Sequence, residues 1–228
     1  MRRGGNGRRN ARIGLSLAGA VLVLLALAQL LLPRIAASRI SSKVGRYGGV
    51  QSVSVTAWPA VKLLWGSVDS VRVKAGHLSL SPAQAAKLLW EGRGASRIDV
   101  AAESVLVGPL RLSDARLRQR GRALGAEARI AQDDVRAALP GLGVRLLRSE
   151  GGQVEVQVSG GLFGVGTAVD AVALASEGKL VAHPVAPLIA GLQLTLFSDR
   201  HVYVEAVGAS ADAGQAGSYR LTMRASLR

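Results

Sequence analysis

No cysteine occurs in the 228 residues of the chain. Disulfides, thiolate metal sites and a lipid-modified cysteine are therefore excluded. Aromatic residues are scarce, at 4%, which leaves little for the ring-and-cation platform of a single-strand nucleic-acid binder. Acids are few and late. None precedes Asp69, and 15 stand against 29 Lys and Arg, a formal net charge of +14. The three histidines are His77, His183 and His201, and no two have the H-E-x-x-H spacing of a zinc site. There is no G-x-S-x-G elbow. The glycine clusters Gly151-Gly152, Gly160-Gly161 and Gly208–Gly217 lack the strand-to-helix setting of a phosphate loop and read as turns. Two polar clusters remain: Asp133-Asp134, which suits a helix start, and Asp199 with His201, which suits a hairpin turn. These absences argue against an enzyme and imply no catalytic residue, no cofactor and no metal.

One long apolar run is present. Ile13–Leu32 (IGLSLAGAVLVLLALAQLLL) carries no charge, and Gln29 is its only strongly polar side chain. As a helix it would span about 30 Å, the hydrocarbon thickness of a bilayer. Arg2, Arg3, Arg8, Arg9 and Arg12 precede it without an acid, and positive charge beside a spanning helix stays on the cytoplasmic side. The expectation is a single-pass cell-membrane protein with its N-terminus inside and Pro33–Arg228 outside. A cleaved signal peptide is the other reading, with Ala36-Ala37-Ser38 as a cleavage site, but the run exceeds the usual hydrophobic region of about 7–15 residues. Behind it Arg34, Arg39, Lys43, Arg46 and Lys62 continue the basic, acid-free character. Such a segment suits an anionic lipid surface, at about 1 kcal/mol per well-placed cation. Of the 29 basic residues 24 are Arg, as a GC-rich coding sequence would also give, and the two readings are compatible.

Along the exported part, residues Pro33–Val44 can form a helix that Tyr47-Gly48-Gly49 ends. The period then becomes two. Val53, Val55 and Ala57 alternate with Ser52, Ser54 and Thr56, and Val71, Val73 and Ala75 alternate with Arg72 and Lys74, the pattern of strands with one wet face. Between them runs an apolar link, Trp58–Ser67. Ser81-Pro82-Ala83-Gln84 is a capping box with proline in the first turn, opening a short apolar helix that reaches Gly92. Strands are expected at Arg97–Val107, Leu110–Arg122 and Ala123–Ile130, then a helix at Gln132–Leu139. Further strands follow at Val144–Leu147, Val154–Val158, Val165–Leu174, Lys179–Ala182, Leu192–Phe197 and His201–Val207, with a last one around Tyr219–Leu227. Arg116, Arg118, Arg120 and Arg122 fall at every second position and would share one strand face, either a solvated outer face or a site for an anionic ligand or headgroup.

The fold class implied is α+β, mainly β: a long curved antiparallel sheet wrapped around one or two short apolar helices, preceded by the transmembrane helix. The domain organisation is a leader at 1–12, the spanning helix at 13–32, a juxtamembrane helix and linker at 33–49 and an extracytoplasmic domain at 50–228. An interior lined by Val, Leu and Ala suits acyl chains if open and is a plain core if closed.

The stretch Pro59–Val73 (PAVKLLWGSVDSVRV) has a proline, an apolar run, a glycine and then an alternating strand. With the short helix Ser81–Trp90, the helix Gln132–Leu139, the Gly151-Gly152-Gln153-Val154-Glu155-Val156 segment and the N-terminal apolar run, it resembles the LmeA-like phospholipid-binding family of actinobacterial cell-envelope proteins. The resemblance implies a fold similar to tubular lipid-binding domains and a phospholipid as ligand. Candidate lining residues are Val61, Leu63, Leu64 and Trp65 from the link and Leu88, Leu89 and Trp90 from the helix, any of which could equally be ordinary core. Trp58 and Trp65 could also sit at a membrane interface. The partners expected are phospholipid of anionic character and the membrane, with no nucleic acid. A ligand-free envelope scaffold or protein-interaction domain with a closed core is the alternative.

Overall fold

The computed structural model describes residues 32–59, 63, 65, 67–162, 165–185 and 193–228. The apolar run, apart from Leu32, and its arginine leader lie outside the described residues. Among those described, no helix is long and apolar enough to cross a membrane.

Residues 32–44 form helix α1. After it come β1 (Gly48–Thr56), β2 (Val68–Leu80), α2 (Pro82–Glu91), β3 (Ala95–Val107), β4 (Leu110–Arg120) and β5 (Ala123–Ala131). Then follow α3 (Gln132–Ala138), β6 (Leu142–Glu150), β7 (Gln153–Leu162), β8 (Val165–Ser176), β9 (Lys179–Pro184), β10 (Leu194–Phe197), β11 (Val202–Ala211) and β12 (Ser218–Leu227). The architecture is mainly β, as expected. The α2 capping box closes in both directions: the Gln84 amide donates to Ser81 Oγ at 3.2 Å, and the Ser81 amide donates to Gln84 Oε1 at 2.7 Å. Two of the three orphan amides of this helix start are satisfied in this way, Pro82 having no N–H to satisfy.

The expectation of one antiparallel sheet needs two corrections. The strands form two sheets, ordered β1-β2-β3-β4-β5-β12-β11 and β10-β9-β8-β7-β6. One pair, β2 with β3, is parallel, because α2 returns the chain to the starting end as a crossover. One glycine cluster, and the first residue of another, differ from the turns expected of them, while Gly214 and Gly217 do lie in the turn between β11 and β12. Gly160 and Gly161 lie inside β7, and Gly208 lies inside β11. These strand glycines answer close neighbours: a Cβ on Gly160 would sit 2.6 Å from Leu142 Cδ2, and one on Gly208 2.8 Å from Thr222 Oγ1.

The sheets meet at β11, the edge of the larger one. Its outward amides donate to two turns and one strand of the smaller: Val204 to the Gly178 carbonyl at 2.9 Å, Val207 to the Gly152 carbonyl at 3.3 Å, and Ala209 to Ser149 Oγ on β6 at 2.9 Å. Gly178 has φ +80° and its missing Cβ would stand 2.1 Å from the Tyr203 ring. Only glycine meets both demands, a left-handed backbone and no side chain. On the inner face of the larger sheet, α1 and α2 are tied by the Lys43–Glu91 ion pair at 2.5 Å. The hydrogen bond from Lys43 holds the Glu91 carboxyl below its ordinary value of 4.5, against an upward push from desolvation.

Two outcomes follow from these contacts. Gly178→Ala is expected to cost about 1–3 kcal/mol by overpacking and backbone strain, read as a lowered urea midpoint. Glu91→Gln is expected to cost no more than about 1 kcal/mol at pH 7, since the pair is half exposed. That deficit should close as pH falls through the lowered pKa, where the native carboxylate protonates as well. Urea titrations of both proteins at pH 7 and pH 3 check it.

Candidate functional site

Strand register brings like residues into rows across the larger sheet. One row reads Val55, Val71, Ile98, Gln119, Leu124, Ala225 and Val204 from β1 to β11. Every member is buried. Ala86 and Leu89 of α2 pack against its β5-β12-β11 half, along with Val202, Leu227 and Phe197. Ile40 and Val44 of α1 pack over the β2-β3 half. Gln119 is the one polar member and is 0% exposed. Its Nε2 donates to the Gly121 carbonyl at 3.1 Å, while its Oε1 has no partner.

The next row is aliphatic from edge to edge: Val53, Val73, Val100, Leu117, Ala126, Met223 and Val207. Beyond it Ala75 pairs with Ala102 and Ala102 with Ala115. Across a register shift in β4 the same level continues as Ala128, Leu221 and Ala209. Asp114 sits in that shift with φ +49°, and its carboxylate accepts from Arg129 at 2.7 Å. A bulge of this kind bends the strand and raises its twist.

Helix α1 covers the β2-β3 end of these two rows, where Val73, Ala75 and Ala102 are buried. On β4, β5, β12 and β11 their members are only half buried: Leu117, Ala126, Met223 and Val207 in one, Ala115, Ala128, Leu221 and Ala209 in the other. This half-buried aliphatic face, about 15 Å across four strands at the usual strand spacing, is the candidate trough. Alternation puts the charges on the opposite face, where Arg116, Arg118, Glu127 and Arg224 are exposed. Arg122 leaves the expected stripe, because Gly121 turns the chain with φ +57° and Arg122 Nε donates to the Leu227 carbonyl at 3.0 Å.

The lining residues expected from sequence belong to the link between β1 and β2 and to α2. Val61 and Leu64 lie outside the described residues. Leu63 is half buried and Trp65 is 75% exposed, on the link that leaves from β1 and enters β2. Leu88 is half buried, and Leu89 packs into the α2 cluster over β5, β12 and β11. Trp90 stacks on His201 with ring centroids 4.5 Å apart and has the Arg93 guanidinium 4.2 Å from its ring. The trough residues of β4, β5, β11 and β12 were not singled out from sequence. Their alternation was visible, as in Leu221 and Met223, but their adjacency rests on pairing β5 with β12.

A second concavity, of about 670 Å³, lies at the far end of the smaller sheet, lined by Arg136, Leu142, Gly143, Ser159 and Ala168 among others. It is wide open to solvent, and the cation on its rim, Arg136, is already paired with Asp133 at 3.0 Å. The trough is the stronger candidate on chemistry. Among the described residues no cluster of His, Cys, Asp and Glu is placed to hold a metal.

The fold defines a mainly β protein of two open sheets, the larger with an aliphatic inner face partly roofed by two helices. The chain belongs to the LmeA-like phospholipid-binding family, whose model matches residues 23–224, most of its length. No curated protein and no solved structure matches it.

Gln119→Met removes the orphan acceptor while keeping the volume. It is expected to raise stability by about 1 kcal/mol, measured by chemical denaturation, because the exposed Gly121 carbonyl can turn to water.

Proposed function

We propose that the protein is a membrane-anchored, extracytoplasmic binder of anionic phospholipid that lays an acyl chain in the trough and serves envelope lipid or lipoglycan maintenance. The observation that carries the reading is the half-buried aliphatic level Leu117–Ala126–Met223–Val207 in a chain of a phospholipid-binding family. Its mechanism is burial rather than chemistry. About ten buried methylenes contribute about 8 kcal/mol, which falls within the range of about 4–15 kcal/mol that association costs. One chain alone roughly breaks even, so headgroup contacts must add to it. Arginine, with its fork of donors, suits a phosphate. The apolar run Ile13–Leu32 with its arginine leader supports the anchor and the outward orientation.

Native mass spectrometry of the full chain released from detergent, with lipid extraction, tests this. Phospholipid at near one per chain is expected. Ala128→Phe, which fills the trough floor, should lower that occupancy at least tenfold while the thermal midpoint stays close to wild type. Occupancy unaffected by Ala128→Phe in a folded protein would put the lipid elsewhere, and a lipid-free chain would favour a scaffold.

A further inference from the structure

Register gathers an unusual set of side chains at one end of the larger sheet. The level Ser70–Arg97–Arg120–Ala123–Ser226–Tyr203 runs along that end. The described residues of the link between β1 and β2, the α2–β3 junction, the turn Gly121–Arg122, the residues before β11 and the C-terminus all lie just beyond it. All three tryptophans of the chain, Trp58, Trp65 and Trp90, are therefore at this rim. Trp58 and Trp65 are 73% and 75% exposed. Soluble surfaces rarely leave two indoles so open, whereas the headgroup region of a bilayer favours them.

The rim is also cationic. Arg93, Arg97, Arg120, Arg122, Arg200 and Arg228 are all exposed there. Of the nearby carboxylates, Asp99 stands one level in from the rim, between Arg72 and Arg118, and three others are already engaged. Asp69 Oδ2 accepts from the Trp58 amide at 2.6 Å, Asp199 Oδ1 accepts from the His201 amide at 2.8 Å, and Glu91 is held by Lys43. At the other end of the sheet the balance differs: there Arg129 and Arg220 are matched by Asp114 and Asp212.

Helix α1 gives the direction of approach. Ile40 packs with Val71, Ala95 and Ile98 near the rim, Val44 reaches further to the cluster of Ala75, Leu78 and Ala102, and Gly48 pairs with Leu78 beyond. The chain thus enters the domain at the rim and runs away from it, and the sequence immediately before this entry is the apolar run Ile13–Leu32.

We infer that this tryptophan–arginine rim is the surface that docks on an anionic phospholipid bilayer, with Trp58 and Trp65 in the headgroup region and Arg97 and Arg120 over the phosphates. The inference extends the lipid-binding reading from a ligand in the trough to a membrane under the rim, and the two can fail separately.

Because no tryptophan lies elsewhere, selectively excited tryptophan emission reports on the rim alone. The full chain is reconstituted into vesicles of phosphatidylglycerol and phosphatidylcholine with brominated acyl chains. At least twofold quenching by the brominated lipid is expected, most of it lost in the W58F/W65F variant, where only Trp90 remains. R97E/R120E, which changes two unpaired exposed side chains on the face opposite the trough, should lower quenching to the level seen in phosphatidylcholine alone, while co-extracted phospholipid stays near one per chain. Emission untouched by brominated lipid yet quenched by aqueous iodide would overturn the inference without touching the trough. So would quenching equal in both vesicle types, or protection from iodide by soluble polyglutamate that exceeds protection by vesicles, which would point to an acidic protein instead.

Discussion

The structure depends on the pairing of β12 with β5. It joins residues far apart in sequence, from Ser218 against Ala131 to Ser226 against Ala123, without a slip. Closing so long a loop carries an entropic cost, and the aliphatic row that continues through Ala126, Met223 and Val207 offsets it. A slip of one residue would turn Leu221, Met223 and Ala225 outward and bring Arg220, Thr222 and Arg224 in. Since β11 is bonded to β12, and the turns of the smaller sheet are bonded to β11, that sheet's attachment also hangs on this one register.

Much of the fold was legible because its signals are local. The Ser81–Gln84 box, the glycines at Gly121 and Gly151-Gly152, and the strict alternation through Tyr219–Leu227 each act over a few residues. What the sequence hid is non-local. The parallel β2-β3 pair requires knowing that α2 crosses back over the sheet. Gly160 and Gly208 read as turn residues until the side chains of Leu142 and Thr222 are seen against them. Apolar spacing in Leu88, Leu89 and Trp90 is the same for a core and for a binding wall, and the packing places Leu89 against core residues. The trough emerges only when strands distant in sequence lie side by side.

The two faces of the larger sheet divide the chemistry. One carries nearly all the strand cations, and the other carries rows of Val, Leu, Ala and Met. Gln119 is the exception on the dry side, a buried amide at β4 with half its hydrogen-bonding capacity unused. Such a group weakens the core locally, and it lies in the buried row, next to the half-buried one.

The alanines in the trough floor have a consequence of their own. Ala115, Ala126, Ala128 and Ala209 present methyl groups and no directional bond. A surface of that kind grips by area alone, so nothing in it fixes the lengthwise position of what rests there. A flexible hydrocarbon would meet a nearly level energy profile and could creep along the floor in small steps. Girth would be gauged by the walls, and any preferred stopping point would have to be set at the ends.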